Sequence, residues 1–529
     1  MTNLTRDGRS GLALCTLLGM LAIGGCAGTE QTIDAAVQVT TSPVSEVEPT
    51  EEMKPERVVS ATPSAGPTVA PTPTAPLGSA PYYLAYAKDI EGRVELVVAD
   101  PEGGGRRGYA VPVELKGLPL DLNGVSPRGE YFAYHTGVLD ESRSDLTLHV
   151  MRMADEEDIF SIRLVTDDLE ERLRALGEDL KASPPEQLEA AYLEEVTAEV
   201  IAGEALSALE AGIRAVDWSP DGRLLAFAGQ IDGATSDVYT FDVTTGKVRR
   251  LTDGPSQVQY VDWSPDGRWI AHGSAYWVGM GNNIINNFVS RDGARVVSMD
   301  VGGSFGNEWY GSEWYLVHSA ANGPGDFGLQ MISPELGEVR MLWEPSFSGY
   351  ALDLQDGQLL VNQMEVMDPE RQQAGTYLLD LERGSRERLG EVVLWLRRWP
   401  KVGELGLLHS SEGITAVDAD GEMRVLLAGE YGMPYPSPSG GKIAFSEYRD
   451  VEGLRVFDAE SGEKMTLDVP GVTCVSWRPD EQGVAFLAKD ALYFNDLQRS
   501  PSVRMDAEPQ RSYLSYAECG VVWIEVDGR

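Results

Sequence analysis

Gly302-Gly303-Ser304-Phe305-Gly306 spells G-x-S-x-G, the turn that presents a nucleophilic serine between a strand and a helix. Its flanks read as strand and glycine-rich loop, and no α/β domain follows, so Ser304 is not expected to attack anything. Four histidines, His135, His272, His318 and His409, recur at one place in a repeat. Imidazoles in register suggest a shared metal. Equivalent sites on neighbouring sheets, however, lie about 10 Å apart, whereas metal–nitrogen bonds are about 2 Å. Aromatic-like packing is the better reading. Asp418-Ala419-Asp420-Gly421 and Asp450-Val451-Glu452-Gly453 alternate carboxylates as calcium loops do, but hairpin turns select Asp-Gly for their own reasons. No zinc, phosphate-loop or dinucleotide motif occurs. The expectation is no catalytic residue, no cofactor and no metal.

Cysteine carries the sharpest chemistry. Arg6 and Arg9, an apolar run from Gly11 to Ile23 and small residues before Cys26 describe a secretory signal over residues 1–26. Ile23-Gly24-Gly25-Cys26 resembles the bacterial lipobox, which implies that Cys26 becomes the acylated N-terminus. Residues 27–80, rich in Thr, Pro, Ser, Ala and Glu, cannot bury enough apolar surface to fold and read as a disordered linker. Ala27, rather than Asp, after the cysteine favours outer-membrane sorting if the envelope is Gram-negative. Of the four cysteines, Cys15 leaves with the signal, and Cys474 and Cys519 could join in an oxidising compartment.

A formal charge of −40 excludes nucleic acid, whose phosphates need cationic partners, and excludes electrostatic docking on anionic lipid. A soluble, monomeric domain that touches the membrane only through its anchor is the expected form.

These residues are positioned by a repeat. AVDWSPDGRLLAFAG from Ala215 and YVDWSPDGRWIAHGS from Tyr260 nearly coincide, about 45 residues apart. Each reads as strand, tight turn, strand: Val216 and Trp218 alternate with Asp217, and Ser219-Pro220-Asp221-Gly222 supplies the turn. Weaker copies begin at Asn123, Pro434 and Thr473, and eroded ones at Asn307, Tyr350, Arg398 and Ser515. A unit of this length is one small antiparallel sheet that must stack on its neighbours, so residues 81–529 are read as an all-β propeller. Eight four-stranded blades are expected, with seven or nine also open. The chain starts with late strands of a blade and ends with early ones, so its two ends should share a sheet.

The pattern W-S-P-D-G-(R/K)-x-(I/L)-A-F, followed by a hairpin with a Gly turn, resembles the TolB-type β-propeller repeat across roughly residues 80–529. The resemblance implies periplasmic or cell-surface scaffolds that bind proteins, and the propeller halves of some peptidases. The segments 277–288 and 303–314, rich in Asn, Gly and Trp, break the pattern and read either as a sugar- or peptide-recognising loop or as a degenerate blade.

Residues 166–210 interrupt an early blade with a helical hairpin. Leu169, Leu173, Leu176 and Leu180 share one face; a second helix is expected from Ser183 to about Leu209, with Leu188, Tyr192, Val196 and Val200 on its apolar side. The hairpin packs on an adjacent sheet or protrudes to dock an envelope protein. The function expected is a lipid-anchored, extracytoplasmic, non-catalytic binding scaffold. The alternatives are an envelope hydrolase or lyase, or a solute receptor, at the channel mouth.

Overall fold

The computed structural model describes residues 81–525 except 91–92, 103–104, 112–121, 141–142, 184–195, 255, 278–281, 300–307, 320–327, 344–348, 354–356, 364–373, 382, 400–403, 419, 447–452, 468, 489–490, 499–500 and 508–519. Cys26, the linker, Ser304, Cys519 and residues 450–452 lie outside these residues.

The repeat forms a β-propeller of nine blades. Nine is the upper of the counts left open, not the eight expected. The eroded copies account for the difference: those at Asn307, Tyr350 and Arg398 each build a complete four-stranded antiparallel sheet. The first blade comprises Tyr131–Thr136, Thr147–Arg152 and Glu157–Arg163, with Val125 bridging Phe132 in its inner position. The second (Val216–Trp218, Leu224–Gly229, Asp237–Asp242, Lys247–Arg250) and third (Gln257–Trp263, Trp269–Trp277, Asn282–Ser290, Val296–Met299) carry the two best copies. Blades four to eight follow in order. The ninth is shared: Val521–Glu525 pairs with Tyr82–Ile90, which continues through Arg93–Ala99 to Arg106–Val111. First strands of successive blades touch one another, so they line the axis and the fourth strands form the rim.

The Ser-Pro turn is a hydrogen-bonded latch. Ser219 Oγ accepts the Leu224 N–H at 2.9 Å, Asp221 Oδ1 accepts the Arg223 N–H at 3.1 Å, and Gly222 takes φ +69°. Ser264 repeats the contact with Trp269 at 2.9 Å. Ser126 and Ser437 make it to Tyr131 and Lys442, both at 3.0 Å, although their turns lack the Asp-Gly pair. In these two copies Ser, Pro and Gly are kept and only the aspartate is lost.

Between blades, aliphatic and aromatic side chains interdigitate. Ala226, Phe227, Ala444, Phe445, Ala485 and Phe486 are all fully buried, the small residue making room for the neighbouring sheet. Inner-strand tryptophans bolt several blades to the one before. Trp218 Nε1 donates to the Gly124 carbonyl at 2.8 Å, Trp477 to that of Tyr435 at 2.8 Å, and Trp309 to that of Asp262 at 3.3 Å. Arginines clamp the same seams: Arg291 stacks on Trp263 of its own blade and pairs with Asp221 of the preceding one at 2.8 Å.

The helical hairpin lies in the connection from the first blade to the second rather than inside a sheet. Helix α1 (Leu169–Ala182) buries its four leucines, as its spacing requires. Helix α2 runs Ala198–Gly212, so a helix unbroken from Ser183 does not form. Thr197 is the reason: it is extended and its hydroxyl caps the Val200 N–H at 3.3 Å. Restarting there rotates the buried face to Ile201, Ala205, Ala208 and Leu209, and leaves Val200 45% exposed. The helices cross where Gly177 meets the Ala198 carbonyl; a Cβ there would lie 2.2 Å from it. α2 also docks on the third blade, Gln259 Nε2 donating to the Ala208 carbonyl at 2.9 Å. Of the two dispositions expected, packing on the blades is the one found. Among the described residues no helix is long and apolar enough to cross a membrane.

Candidate functional site

Titratable groups cluster on the inner strands. On the second and third blades, Asp217 and Asp262 occupy the same position of the repeat. Asp217 Oδ2 accepts the Trp263 N–H at 2.7 Å, tying one blade to the next. The Asp262 carboxyl is pushed up to about 7, chiefly by burial and then by the charge of Asp217, while the Tyr315 hydroxyl bonded to it pulls the other way. Tyr260 donates to Asn286 Oδ1 at 2.5 Å behind them.

On the sixth to eighth blades, Arg397, Tyr435, Pro436, Pro438, Val475 and Ser476 line a recess of about 370 Å³. Burial raises the Tyr435 hydroxyl and the Arg397 charge opposes that shift. The recess thus offers a guanidinium and a phenol side by side, suited to a polar ligand.

A second concavity, of about 350 Å³, lies where the ring closes, between the eighth blade (Val472–Trp477, Val484–Ala488, Ala491–Asn495, Val503–Ala507) and the ninth. Polar bonds cross this seam. Asp506 receives the Tyr86 hydroxyl at 2.9 Å, Arg106 at 2.9 Å and the Lys88 ammonium. Arg478 pairs with Glu102 at 2.9 Å and with Asp480 at 2.6 Å. Burial drives the Tyr86 hydroxyl far above its ordinary range, so it acts only as a donor.

The residues singled out from sequence fall as follows. His135, His272 and His409 lie on second strands of the first, third and sixth blades; His272 and His409 are buried, His409 Nε2 bonding the Tyr431 carbonyl at 2.8 Å, and His135 is half-buried. His318 lies on the strand Trp314–Ser319, its side chain outside the described residues. Both ring nitrogens of His272 are buried without a hydrogen-bond partner, and burial lowers its pKa to about 4. His135 is lowered to about 3 by burial, with the Arg214 charge adding to it. Asp418 Oδ1 accepts the N–H groups of Asp420 at 3.0 Å and Glu422 at 2.9 Å, the ordinary work of a turn aspartate. Among the described residues no three His, Cys, Asp or Glu side chains are grouped to hold a metal. The segment 277–288 contributes the strand Asn282–Ser290, so there the repeat is degenerate rather than replaced by a loop. Cys474 is disulfide-bonded.

What sequence reading missed is the pairing of Asp217 with Asp262 and the seam around Asp506. The signal for the first was present: the two aspartates sit two residues before Ser219 and Ser264 in the two best copies. Nothing local marks Asp506, whose partners Tyr86 and Lys88 are about 420 residues away.

No protein-family model matches the chain, and no curated protein matches it. Solved structures do. One described as the eukaryotic initiation factor is 12% identical, with a TM-score of 0.52 over 85% of this chain and 99% of that one. Dipeptidyl peptidase 4 of Porphyromonas gingivalis is 12% identical over 76% of this chain and 60% of its own, with a TM-score of 0.43. An oligogalacturonate lyase in complex with manganese is 15% identical over 56% and 88%, with a TM-score of 0.31. The last two alignments are too loose to carry an argument. The first shows what these chains have in common, which is the propeller fold and not a site.

Proposed function

We propose that this chain is a lipid-anchored, extracytoplasmic propeller of the TolB type that acts as a non-catalytic protein-binding scaffold in the cell envelope. One observation carries the reading: the buried carboxylates Asp506, Asp217 and Asp237 are spent on bonds that hold blades, or the strands of one blade, together. Asp506 is held by Tyr86, Lys88 and Arg106, and Asp217 by the Trp263 N–H. Asp237 is held by Arg250 at 2.7 Å, Thr252 at 2.9 Å and Gly254 at 3.1 Å. The disulfide at Cys474 supports an oxidising compartment, and the Cys26 lipobox supplies the tether.

The partner docks on the outward side of the hairpin. Glu170, Glu171, Glu178 and Glu199 are exposed there, so a basic protein surface is the matching chemistry. Deleting the hairpin is a poor test, because its leucines belong to the core shared with Leu225 and Phe227. Reversing Glu170, Glu171 and Glu178 to Lys keeps that core. Cross-linking in intact cells should recover one abundant envelope protein with the parent and lose it with the triple variant. Equal recovery from both sinks the docking surface. Cys26→Ser should release the protein from membranes; retention there sinks the anchor.

A second reading, as a hydrolase, lyase or solute receptor, is favoured by the recess that Arg397 and Tyr435 line. It predicts a discrete solute that raises the melting temperature of the parent and not of Arg397→Ala.

A further inference from the structure

We infer that the cleft at the ring seam is a binding site for a small carboxylate with a flat apolar body, whether a free acid or the C-terminal residue of a peptide. The cleft encloses about 350 Å³, within the range of small-molecule pockets. Its deep side is apolar: Tyr86, Ala99 and Phe494 contribute to the lining and are almost wholly buried. Met505 and Val503 extend that surface outward along the last strand of the eighth blade, Val503 being 51% exposed.

The polar lining groups are accounted for, with one exception. Asp100 Oδ1 accepts the Glu102 N–H at 2.8 Å and Glu102 pairs with Arg478. Asn495 donates to Ser502 at 3.1 Å and accepts from the Leu497 N–H at 2.7 Å, while Asp496 takes the Gln498 N–H at 3.0 Å. Arg106 is bonded to Asp506. Arg504 lines the same cleft and is exposed, and among the described residues its guanidinium makes no hydrogen bond or ion pair.

In a chain with a formal charge of −40, with most described arginines paired to a carboxylate, an open guanidinium beside an apolar pocket is a ready cation. A planar carboxylate on its fork gains charge-assisted bonds, and an aromatic or aliphatic body fills the space over Phe494 and Met505. The site is far from the hairpin in sequence and chemistry, so its failure and the failure of the scaffold reading are separate results.

Ligand-observed NMR and thermal shift on the full chain test it with four probes: N-acetylphenylalanine, its amide, and a Gly-Gly-Phe peptide with free or amidated C-terminus. The carboxylates should bind about tenfold or more tightly than their amides, the ratio that one charge-assisted contact confers. Arg504→Ala should abolish that ratio without moving the melting temperature of the unliganded protein, and Arg504→Lys should keep part of it. Val503→Glu, which sets an anion at the rim, should weaken the acids and spare the amides. Tighter binding of the peptide than of the free amino acid assigns the site to chain termini; the reverse assigns it to small acids. Equal affinity for acids and amides, no effect of Arg504→Ala, or no binding of any probe at millimolar concentration overturns the proposal.

Discussion

His272 is a histidine doing the work of a phenylalanine. Its unpartnered nitrogens sit in the inter-blade core, and its pKa near 4 lies below the ordinary value of about 6.5. The depressed value means that the unfolded chain binds the extra proton, so stability is full above pH 6.5 and falls as pH drops toward 4. His272→Phe should therefore raise stability at pH 5 by about 1–2 kcal/mol, relieving an unsatisfied polar group. Denaturant melts at pH 5 and 7.5 check it; equal gains at both pH values would mean that titration is irrelevant. Asp262 titrates in the opposite sense. With a folded pKa near 7 and an unfolded value near 4, stability is highest below pH 4 and falls as pH rises to 7. Asp262→Asn keeps a neutral amide beside Tyr315 and should stabilise the protein by about 1–3 kcal/mol at pH 8, with no gain at pH 4. Asp237, raised to about 6 by burial against the pull of Arg250, adds to the same slope.

At the scale of the element, two devices hold the blades and the hairpin. The serine latch offers one backbone N–H a partner inside the turn, so Ser219→Ala should cost about 1 kcal/mol. The same change at Ser437 should cost a similar amount although its turn reads Ser-Pro-Ser-Gly, because the bond and not the Asp-Gly pair is what is lost. Similar melts for both variants would establish that. The hairpin depends on close approach. A Cβ at Gly212 would stand 1.8 Å from the Val258 carbonyl, so Gly212→Ala must push α2 off the third blade. We expect about 1–3 kcal/mol of destabilisation and faster amide exchange across Ala198–Gly212. Unchanged exchange there would show that the helix is not anchored through this contact.

For the whole molecule, the ninth blade is the closure. Its inner strand comes from one end of the chain and the other three from the opposite end, so the ring stays shut only while they stay paired. Asp506 links three groups of the N-terminal strands to the eighth blade. Asp506→Ala leaves Lys88 and Arg106 facing each other without an acid, at a cost of about 3–5 kcal/mol. Limited proteolysis should then cut first within residues 81–111, while the middle blades remain protected. Cleavage starting elsewhere would place the weak point of the ring in another blade.

Much of this was readable in one dimension, for definite reasons. The repeat at Ala215 and Tyr260 is enough to announce a propeller, because a strand–turn–strand unit has a two-residue period and turn chemistry that act locally. α1 was legible from its leucine spacing for the same reason. The number of blades was not. Copies such as those at Asn307 and Arg398 have lost their turn residues, and neighbouring sheets hold such strands in place through core packing. The phase of α2 turned on the single cap at Thr197. Charge and the repeat were thus determined by the sequence alone. Only the tertiary structure decided which aspartates meet across blades, how the chain's ends lock at Asp506, and that the seam leaves a cleft with an open guanidinium. Those are contacts between residues as much as 420 positions apart, where sequence neighbours hold no information about distance in space.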